Sequence, residues 1–199
     1  NVYLFESLTV ADYQQKAFFG EVSYQFNEQW LLTAGGRHFD YDRTDVITRP
    51  IGQFSRAVGS DNDLSEAGEV YKINLAFTPN ENTLIYTQWS EGFRLGKGQA
   101  LPSSDICDID NDGKLDFTDA VLTNKVEADS TKNVELGAKF TLLDNRLTLD
   151  AALFRIDWAN MPVTIIDTSE TCTGFARLDS NVGGAYSEGV EVAVSYFVT

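Results

Sequence analysis

Segments in which apolar and polar residues alternate recur along the whole chain. In the last of them, Val192 and Val194 alternate with Glu191 and Ala193. Because successive side chains of a β-strand point to opposite faces, a period of two predicts an all-β, antiparallel meander of about seven long strands. The predicted strands cover roughly residues 13–26, 29–43, 67–79, 83–95, 131–142, 146–158 and 185–198.

The connections between these segments are alternately short and long. The short ones are Asn27-Glu28, 80–82 and Asp144-Asn145, and the long ones are roughly 44–66, 96–130 and 159–184. Short turns on one side and long loops on the other are typical of an outer-membrane β-barrel, with periplasmic turns and extracellular loops. We therefore expect the apolar face of each strand to contact lipid and the charged face to line the lumen.

A soluble β-sandwich has the same periodicity with the apolar face packed inward, so alternation alone leaves that alternative open. Two features favour the membrane. The segments are long for a sandwich, and aromatic residues such as Phe26 and Trp30 gather near a short turn. The fourth segment is the least regular, with Leu84 and Tyr86 assigned to the outer face and Gln88 breaking the pattern.

Composition narrows the function classes. The net charge of −15 argues against a nucleic-acid partner, which selects basic surfaces. No stretch resembles a transmembrane helix of about 20 apolar residues. The chain begins at Asn1 with no signal peptide, so we expect an internal piece of a longer protein whose export signal lies upstream. Seven strands cannot close a lipid-facing barrel, which agrees with this expectation.

One segment of the second long connection carries specific chemistry. Residues 108–119 fit the calcium-loop pattern of acids at positions 1, 3, 5 and 12 with glycine at position 6. The loop resembles that of dockerins and EF-hands and predicts a structural Ca²⁺ site within an extracellular loop spanning 100–130. By the same resemblance a short helix should follow at Asp119, and Leu115 should point into local apolar packing. The alternative is a solvated acidic hairpin tip. The predicted ligands are Asp108, Asp110, Asp112, the backbone carbonyl of Lys114, Asp116 and Asp119.

The two cysteines, Cys107 and Cys172, lie in the second and third long connections. The topology places both on the same side of the membrane, where a pair of thiols tends to be oxidised, so we expect a disulfide; two unrelated thiols are the alternative. His38 is the single histidine and has no serine partner nearby, and no phosphate-binding loop occurs. No catalytic residue is assigned and no enzymatic activity is expected.

Several strands resemble the barrel of TonB-dependent outer-membrane receptors, and the matches follow one another in the right order along the chain. The residues that carry the resemblance are Phe19-Gly20-Glu21 with Tyr24, Leu32 to Arg37, Leu84-Ile85-Tyr86 with Ser90 to Gly96, Asn133 to Lys139, Arg146 to Leu149 with Ala152 to Trp158, and Asn181 to Glu191. Leu95 departs from the family pattern, which often has proline there. The resemblance implies that residues 1–199 form one part of a barrel of about 22 strands.

The resemblance also implies a function. Such receptors bind a scarce ligand (a siderophore, a vitamin or an oligosaccharide) at their extracellular loops and import it with energy delivered by TonB to a plug domain. The expected partners are therefore outer-membrane lipid, a small-molecule ligand and TonB acting through a plug outside this chain. The alternatives are a passive porin-type channel and a soluble calcium-dependent adhesion or carbohydrate-binding sandwich.

Overall fold

The structure is a computed structural model of the chain. It describes residues 8–48, 57–58, 60–102, 107–116, 118–167, 172 and 176–198.

Seven long strands form one antiparallel sheet, which confirms the predicted fold class. Each of these strands pairs with the next long strand along the chain, so the sheet is a meander. The described residues contain no helix with the length and apolarity that a membrane crossing requires. The strands of the sheet are β1 (Thr9–Gln25), β2 (Trp30–Ile47), β4 (Ser60–Asn80), β5 (Thr83–Arg94), β9 (Asp129–Leu142), β10 (Leu147–Ala159) and β13 (Gly184–Tyr196).

Among the residues that the structure describes, six short strands lie in the long connections and pair with one another outside the main sheet. β3 pairs with β7, β6 with β8, and β11 with β12. Two of these pairs join residues that are far apart in the sequence. The short strands are β3 (Ala57–Val58), β6 (Lys97–Gly98), β7 (Leu101–Pro102), β8 (Lys125–Val126), β11 (Pro162–Asp167) and β12 (Ala176–Asn181).

The tight turns lie where the sequence predicts them. At the first turn the Asn27 side chain accepts hydrogen bonds from the backbone N–H groups of Gln29 and Trp30, at 2.9 and 3.0 Å. At the third, residues 143–145 all have positive φ, which reverses the chain within a few residues. The short side of the sheet is therefore fixed by local hydrogen bonds and backbone geometry.

The apolar face of the sheet is open. Val192 is 62% exposed, Leu136 52% and Tyr24 61%, and no second layer of described residues covers them. A sandwich would bury these side chains in a dry interior. The sandwich alternative is therefore wrong, and the exposed face has the character of a lipid-facing surface.

The face assignment of the fourth predicted strand is wrong. In β5, Tyr86 pairs with Gly137 and its phenol donates a hydrogen bond to Glu135, so its ring lies on the inner face. Ile85 takes the outer position instead, opposite Ala138. The register of β5 against β9 places Tyr86 on the inner face, where Glu135 of β9 supplies the acceptor for its hydroxyl group.

Aromatic rings repeatedly lie over glycines of the adjacent strand. In each case the two residues are direct cross-strand neighbours, and a Cβ on the glycine would contact the ring. The glycines thus leave room for rings to lie flat against the sheet. The pairs are Tyr71 with Gly36, Phe39 with Gly68, Tyr86 with Gly137, and Phe154 with Gly189.

Replacing Gly137 with alanine tests this packing. The added methyl group would overlap the Tyr86 ring, so Gly137→Ala should lower the free energy of unfolding of the intact protein by about 1–3 kcal/mol, the usual cost of overpacking. Denaturant unfolding in detergent micelles, followed by fluorescence, measures this. Gly20→Ala is the matched control because a Cβ there meets nothing within 4 Å. Equal stability of the two variants would contradict the packing role.

Candidate functional site

The long connections converge at one end of the sheet around a small apolar core. We call the described residues of the connections 95–128 and 160–183 the loop cap. Its core consists of buried residues from both connections, with further apolar side chains packed against them. The core residues are Cys107, Leu115, Ala120, Cys172 and Leu178, and the flanking residues are Leu101, Leu122 and Ile165.

A disulfide joins the two halves of the loop cap. Cys107 and Cys172 are bonded across 65 residues of sequence, with a Cα–Cα distance of 4.6 Å. Both cysteines are buried in the core. A cross-link over such a long loop restricts the unfolded chain and so favours the ordered cap.

The Gln99 side chain makes a second link between the two connections. Its amide oxygen accepts a hydrogen bond from the Asp179 N–H at 2.9 Å. Its amide nitrogen donates to the carbonyl oxygens of Asp179 at 2.7 Å and of Thr123 at 2.8 Å. The Gln99 amide thus makes with the Asp179 backbone the same two hydrogen bonds that a residue of a neighbouring strand would make. Both polar atoms of the side chain are used.

The loop cap is fastened to the inner face of β2 by buried polar side chains. The Gly96 N–H donates to the Tyr41 hydroxyl at 2.9 Å, and the Gly98 N–H donates to the Asp45 carboxylate at 2.6 Å. Asp45 is fully buried and also accepts a charge-assisted bond from Arg43 at 2.8 Å. Hydrogen bonds to buried charged groups are among the stronger ones, so these contacts hold residues 96–98 of the cap in a fixed position against β2.

Three carboxylates of the predicted calcium loop come together in the cap. Asp108, Asp110 and Asp116 each place an oxygen within 4.8 Å of the others. The chain turns sharply here because Asn111 and Gly113 have positive φ, 59° and 83°. Glycine meets this requirement without strain, as predicted for position 6.

Backbone N–H groups hold these carboxylates in place. Asp108, which is buried, accepts hydrogen bonds from the N–H groups of Asp112 at 3.0 Å and Gly113 at 3.1 Å. Asp116 accepts one from the Ile109 N–H at 3.1 Å. These donors reduce the mutual repulsion of the three acids and orient their oxygens toward one another.

The other three predicted ligands lie outside this group. The Asp112 carboxylate accepts a hydrogen bond from the Lys114 N–H at 2.8 Å and lies 4.0 Å from the Lys114 ammonium group. Asp119 has a φ of 53°, and its N–H donates to the Leu115 carbonyl at 2.9 Å. The structure thus brings together three of the six predicted residues.

The helix expected after the loop is absent from residues 118–122, so that prediction is wrong. Lys114 and Val121 form an antiparallel bridge, and the Leu115 N–H donates to the Ala120 carbonyl at 2.8 Å. Leu115 points into the core, as predicted, but Ala120 is buried there too. The positive φ of Asp119 turns the chain back so that both side chains enter the same core.

At the base of the cap lies an ion pair that the sequence does not signal, between the exposed Arg94 side chain and the buried Asp129 carboxylate. Arg94 contacts both oxygens of the Asp129 carboxylate, at 3.1 and 2.5 Å, and the Trp158 indole N–H donates to the same carboxylate at 2.7 Å. The Arg94 guanidinium also lies 5.3 Å from the centre of the Trp158 ring. In the sequence, Asp129 is one acid among many in a long connection, and nothing local signals that it is buried.

The ionisation of Asp179, on β12 in the cap, is shifted by its surroundings. Burial raises its pKa, but hydrogen bonds from Lys97 and Thr164 outweigh burial, so the pKa lies below the usual aspartate value. The Lys97 ammonium lies 2.8 Å from the carboxylate. Ionised Asp179 therefore stabilises the joint between β12 and residues 97–99.

Acidification should weaken this joint. A carboxyl group with a lowered pKa contributes stability above its unfolded pKa and loses it as the pH falls through its folded pKa. At pH 6, Asp179→Asn should therefore reduce hydrogen-exchange protection of the Gln99 and Asp179 amides by about two- to fivefold, the effect of a partly exposed ion pair. The difference from wild type should shrink below about pH 4, once rates are corrected for intrinsic exchange. The control is Asp144→Asn, in the turn at the opposite end of the sheet, which should not change the protection of these amides. If Asp179→Asn and wild type differed in protection by the same factor at every pH, the stabilising role of ionised Asp179 would be contradicted.

Comparisons with known proteins identify the family. The model for TonB dependent receptor-like β-barrels matches residues 4–198. The siderophore receptor PiuA from Acinetobacter baumannii is 25% identical over 162 residues, which are 78% of this chain and 19% of that protein. The chain thus spans about a fifth of the length of this curated relative.

Solved structures share the fold. The ferric yersiniabactin uptake receptor FyuA from Yersinia pestis superposes with a TM-score of 0.69 at 14% identity, over 96% of this chain and 25% of that one. The copper transporter OprC gives a TM-score of 0.68 at 16% identity, over 95% and 27%. The proteins named in these matches are receptors and transporters rather than enzymes. The chain belongs to the TonB-dependent receptor family, and its seven-stranded sheet is part of an outer-membrane β-barrel.

Proposed function

We propose that this chain forms part of the barrel wall and of the extracellular surface of a transporter that imports a scarce ligand across the outer membrane. The proposal rests on one observation, a sheet with two chemically different faces in a chain whose residues 4–198 match the family. One face is apolar and exposed, and the other carries charged and polar side chains. A wall of this kind separates lipid from a hydrated lumen.

An iron-bearing siderophore is the ligand class that we favour. PiuA is named a siderophore receptor and FyuA a ferric yersiniabactin uptake receptor. Transport of such a ligand requires binding and a conformational change but no covalent chemistry in this chain. TonB would act through parts of the receptor outside residues 1–199.

Outer-membrane lipid is the partner proposed for the apolar face. Its side chains are large, exposed and lie on one side of adjacent strands, so burying them in hydrocarbon is favourable. The aromatic pair Trp30 and Phe77, stacked at 4.4 Å beside a short turn, fits the interfacial position of an aromatic girdle. The clearest members of the face are Phe18, Val22, Tyr24, Ile73, Leu136, Leu153, Val190, Val192 and Val194.

Deletion and complementation of the full receptor gene test the transport proposal. Under iron limitation, loss of the receptor should abolish uptake of one radio-iron siderophore from a panel of catecholate, hydroxamate and carboxylate types, and the intact gene should restore it. The same uptake should disappear in a strain lacking TonB. Uptake that persists without TonB would favour a passive channel and contradict the proposal.

We further propose that the acidic turn of the loop cap binds Ca²⁺ and that the ion is structural. Calcium takes six to eight oxygen ligands at about 2.3–2.6 Å, which a turn carrying several carboxylates can supply. The grouping of Asp108, Asp110 and Asp116 supports the proposal. Asp112, Asp119 and the Lys114 carbonyl would complete the ligand set after local rearrangement. Because the turn directly follows Cys107, an ion there would stiffen the cap rather than the sheet.

Calorimetric titration of the chelator-treated full receptor with Ca²⁺ tests the site. Asp110→Asn removes one exposed carboxylate charge and should weaken binding by about tenfold or more, because calcium affinity follows the number of charged ligands. Hydrogen exchange should show calcium-dependent protection at 107–116 and no change in β9 or β10. Asp144→Asn, in an exposed turn away from the cap, should bind like wild type. Absence of binding heat in the wild type, or unchanged affinity in Asp110→Asn, would remove the site.

A further inference from the structure

The neighbouring long strands β4 and β5 separate before either of them ends. Their ladder stops at the pair Lys72–Ser90. Beyond this pair β4 continues to Ser60, bonded only to β2, and β5 continues to Arg94, bonded only to β9, within the part of the chain that the structure describes. We call residues 68–71 of β4 and 91–94 of β5 the open seam, because here each strand turns a free edge toward the other.

The register identifies which backbone groups of the open seam are free. In an antiparallel sheet, successive residues direct their N–H and C=O groups to opposite neighbours. The Thr78 N–H donates to the Gln29 carbonyl at 2.8 Å, so the even-numbered residues of β4 bond to β2. The odd-numbered residues therefore face β5. If the ladder continued in the same register, Tyr71 would pair with Glu91 and Glu69 with residue 93.

The Glu91 side chain takes the place of the first missing backbone pair. The Tyr71 N–H donates to the Glu91 carboxylate at 3.2 Å instead of to a backbone carbonyl of β5. The Lys132 ammonium group of β9 lies 4.0 Å from the same carboxylate. A side chain between two strands keeps their backbones apart, so Glu91 is the spacer that holds the seam open.

Two aromatic rings join the strands above this spacer. Phe39 of β2 lies over Gly68 of β4, where a Cβ would come within 2.7 Å of the ring. The Phe39 ring stacks on that of Phe93 of β5, with centroids 3.8 Å apart and planes at 6°. The gap holds a cavity of about 250 Å³ lined by residues of β4, β5 and β9. The two halves of the wall are thus linked here by side chains, with space between their backbones.

The ring stack and a closed seam exclude each other. In the extended register Phe93 lies opposite Glu69, which shares the outer face with Tyr71. Phe39 lies opposite Gly68, on the inner face. Closing the seam would therefore turn the Phe93 ring to the outer face and break its stack with Phe39.

The separation begins where the outer face changes from apolar to charged. Ile73 and Trp89 form the last outer-face pair of the ladder, and the next outer-face residues along the two strands are Tyr71 and Glu91. In hydrocarbon an unpaired backbone group is very costly, whereas above the lipid water supplies the missing hydrogen bonds. Open and closed states of a seam are therefore both attainable only at this height.

We propose that the open seam is a two-state element of the receptor wall, which closes when residues 68–71 pair with residues 91–94. In the open state the Glu91 carboxylate and the ring stack join β4 to β5. In the closed state the backbone ladder replaces both links, and the two halves of the wall approach each other beneath the loop cap. The element sets the width of the wall at this level and goes beyond the proposed import, which a rigid wall would also permit.

Hydrogen exchange at single-amide resolution tests the proposal in the full receptor in detergent micelles. The Glu69 and Phe93 amides face the seam, whereas those of Gly68 and Arg94 bond to β2 and β9 in both states. Glu91→Thr removes the spacer and introduces a residue that favours strands. It should slow exchange of the Glu69 and Phe93 amides by about tenfold or more and leave Gly68 and Arg94 unchanged. Exchange of the two seam amides as fast as in wild type would overturn the proposal.

A second variant decides if Glu91→Thr does not fold. Phe93→Leu keeps the spacer but removes the ring stack of the open state, so it should slow exchange of the Glu69 amide by about threefold or more. An unchanged rate would overturn the proposal.

The control is Glu188→Thr, which replaces an outer-face acid paired with Arg155 away from the seam. It should leave exchange at the seam as in wild type, and equal slowing in this variant would show a general charge effect and overturn the proposal. In the wild type itself the Glu69 amide should exchange faster than that of Gly68; equal protection would mean that the seam is permanently closed. None of these rates depends on transport, so failure of the uptake experiment leaves this test intact.

Discussion

The constraint on which the rest of the structure depends is that backbone N–H and C=O groups must be hydrogen-bonded within the protein wherever the chain meets hydrocarbon. The meander satisfies this wherever neighbouring long strands pair, from β1 to β13. Once the register is set by this ladder, the face of each side chain follows, because a shift of one residue would move all of them to the opposite face. The apolar outer surface and the charged inner surface are thus consequences of one hydrogen-bonding pattern.

The same ladder explains why the loop cap needs other means of support. Above the sheet the connections 95–128 and 160–183 have no long strand partners, and they are ordered by a small core, a disulfide and polar side chains that imitate backbone pairing. Asp45 and Tyr41 hold the cap from below. The acidic turn at residues 108–116 is built on this support, so its geometry depends on contacts that are distant in sequence.

This difference decides what could be predicted from sequence. The number, order and turns of the strands follow from local alternation, and the sequence predicted them. The inner position of Tyr86 follows from the register of β5 against β9, which the alternation within β5 alone does not reveal. The missing helix after Asp119 depends on burial of Ala120 in a shared core. Gln99 and Asp179 are 80 residues apart. No periodicity or spacing signals such a pair, whereas the calcium-loop motif is contiguous and therefore visible.

The two edges of the sheet carry the argument for a larger barrel. Within the described residues, β1 pairs only with β2, and β13 only with β10. Each edge strand therefore presents unpaired backbone groups, and its outward side chains, such as Phe18 and Val192, are as apolar as those of the central strands. An unpaired group in hydrocarbon costs several kcal/mol, so neither edge can remain open at the depth of these side chains. Both edges must be covered by further strands, because only a closed wall can keep lipid away from the charged inner face.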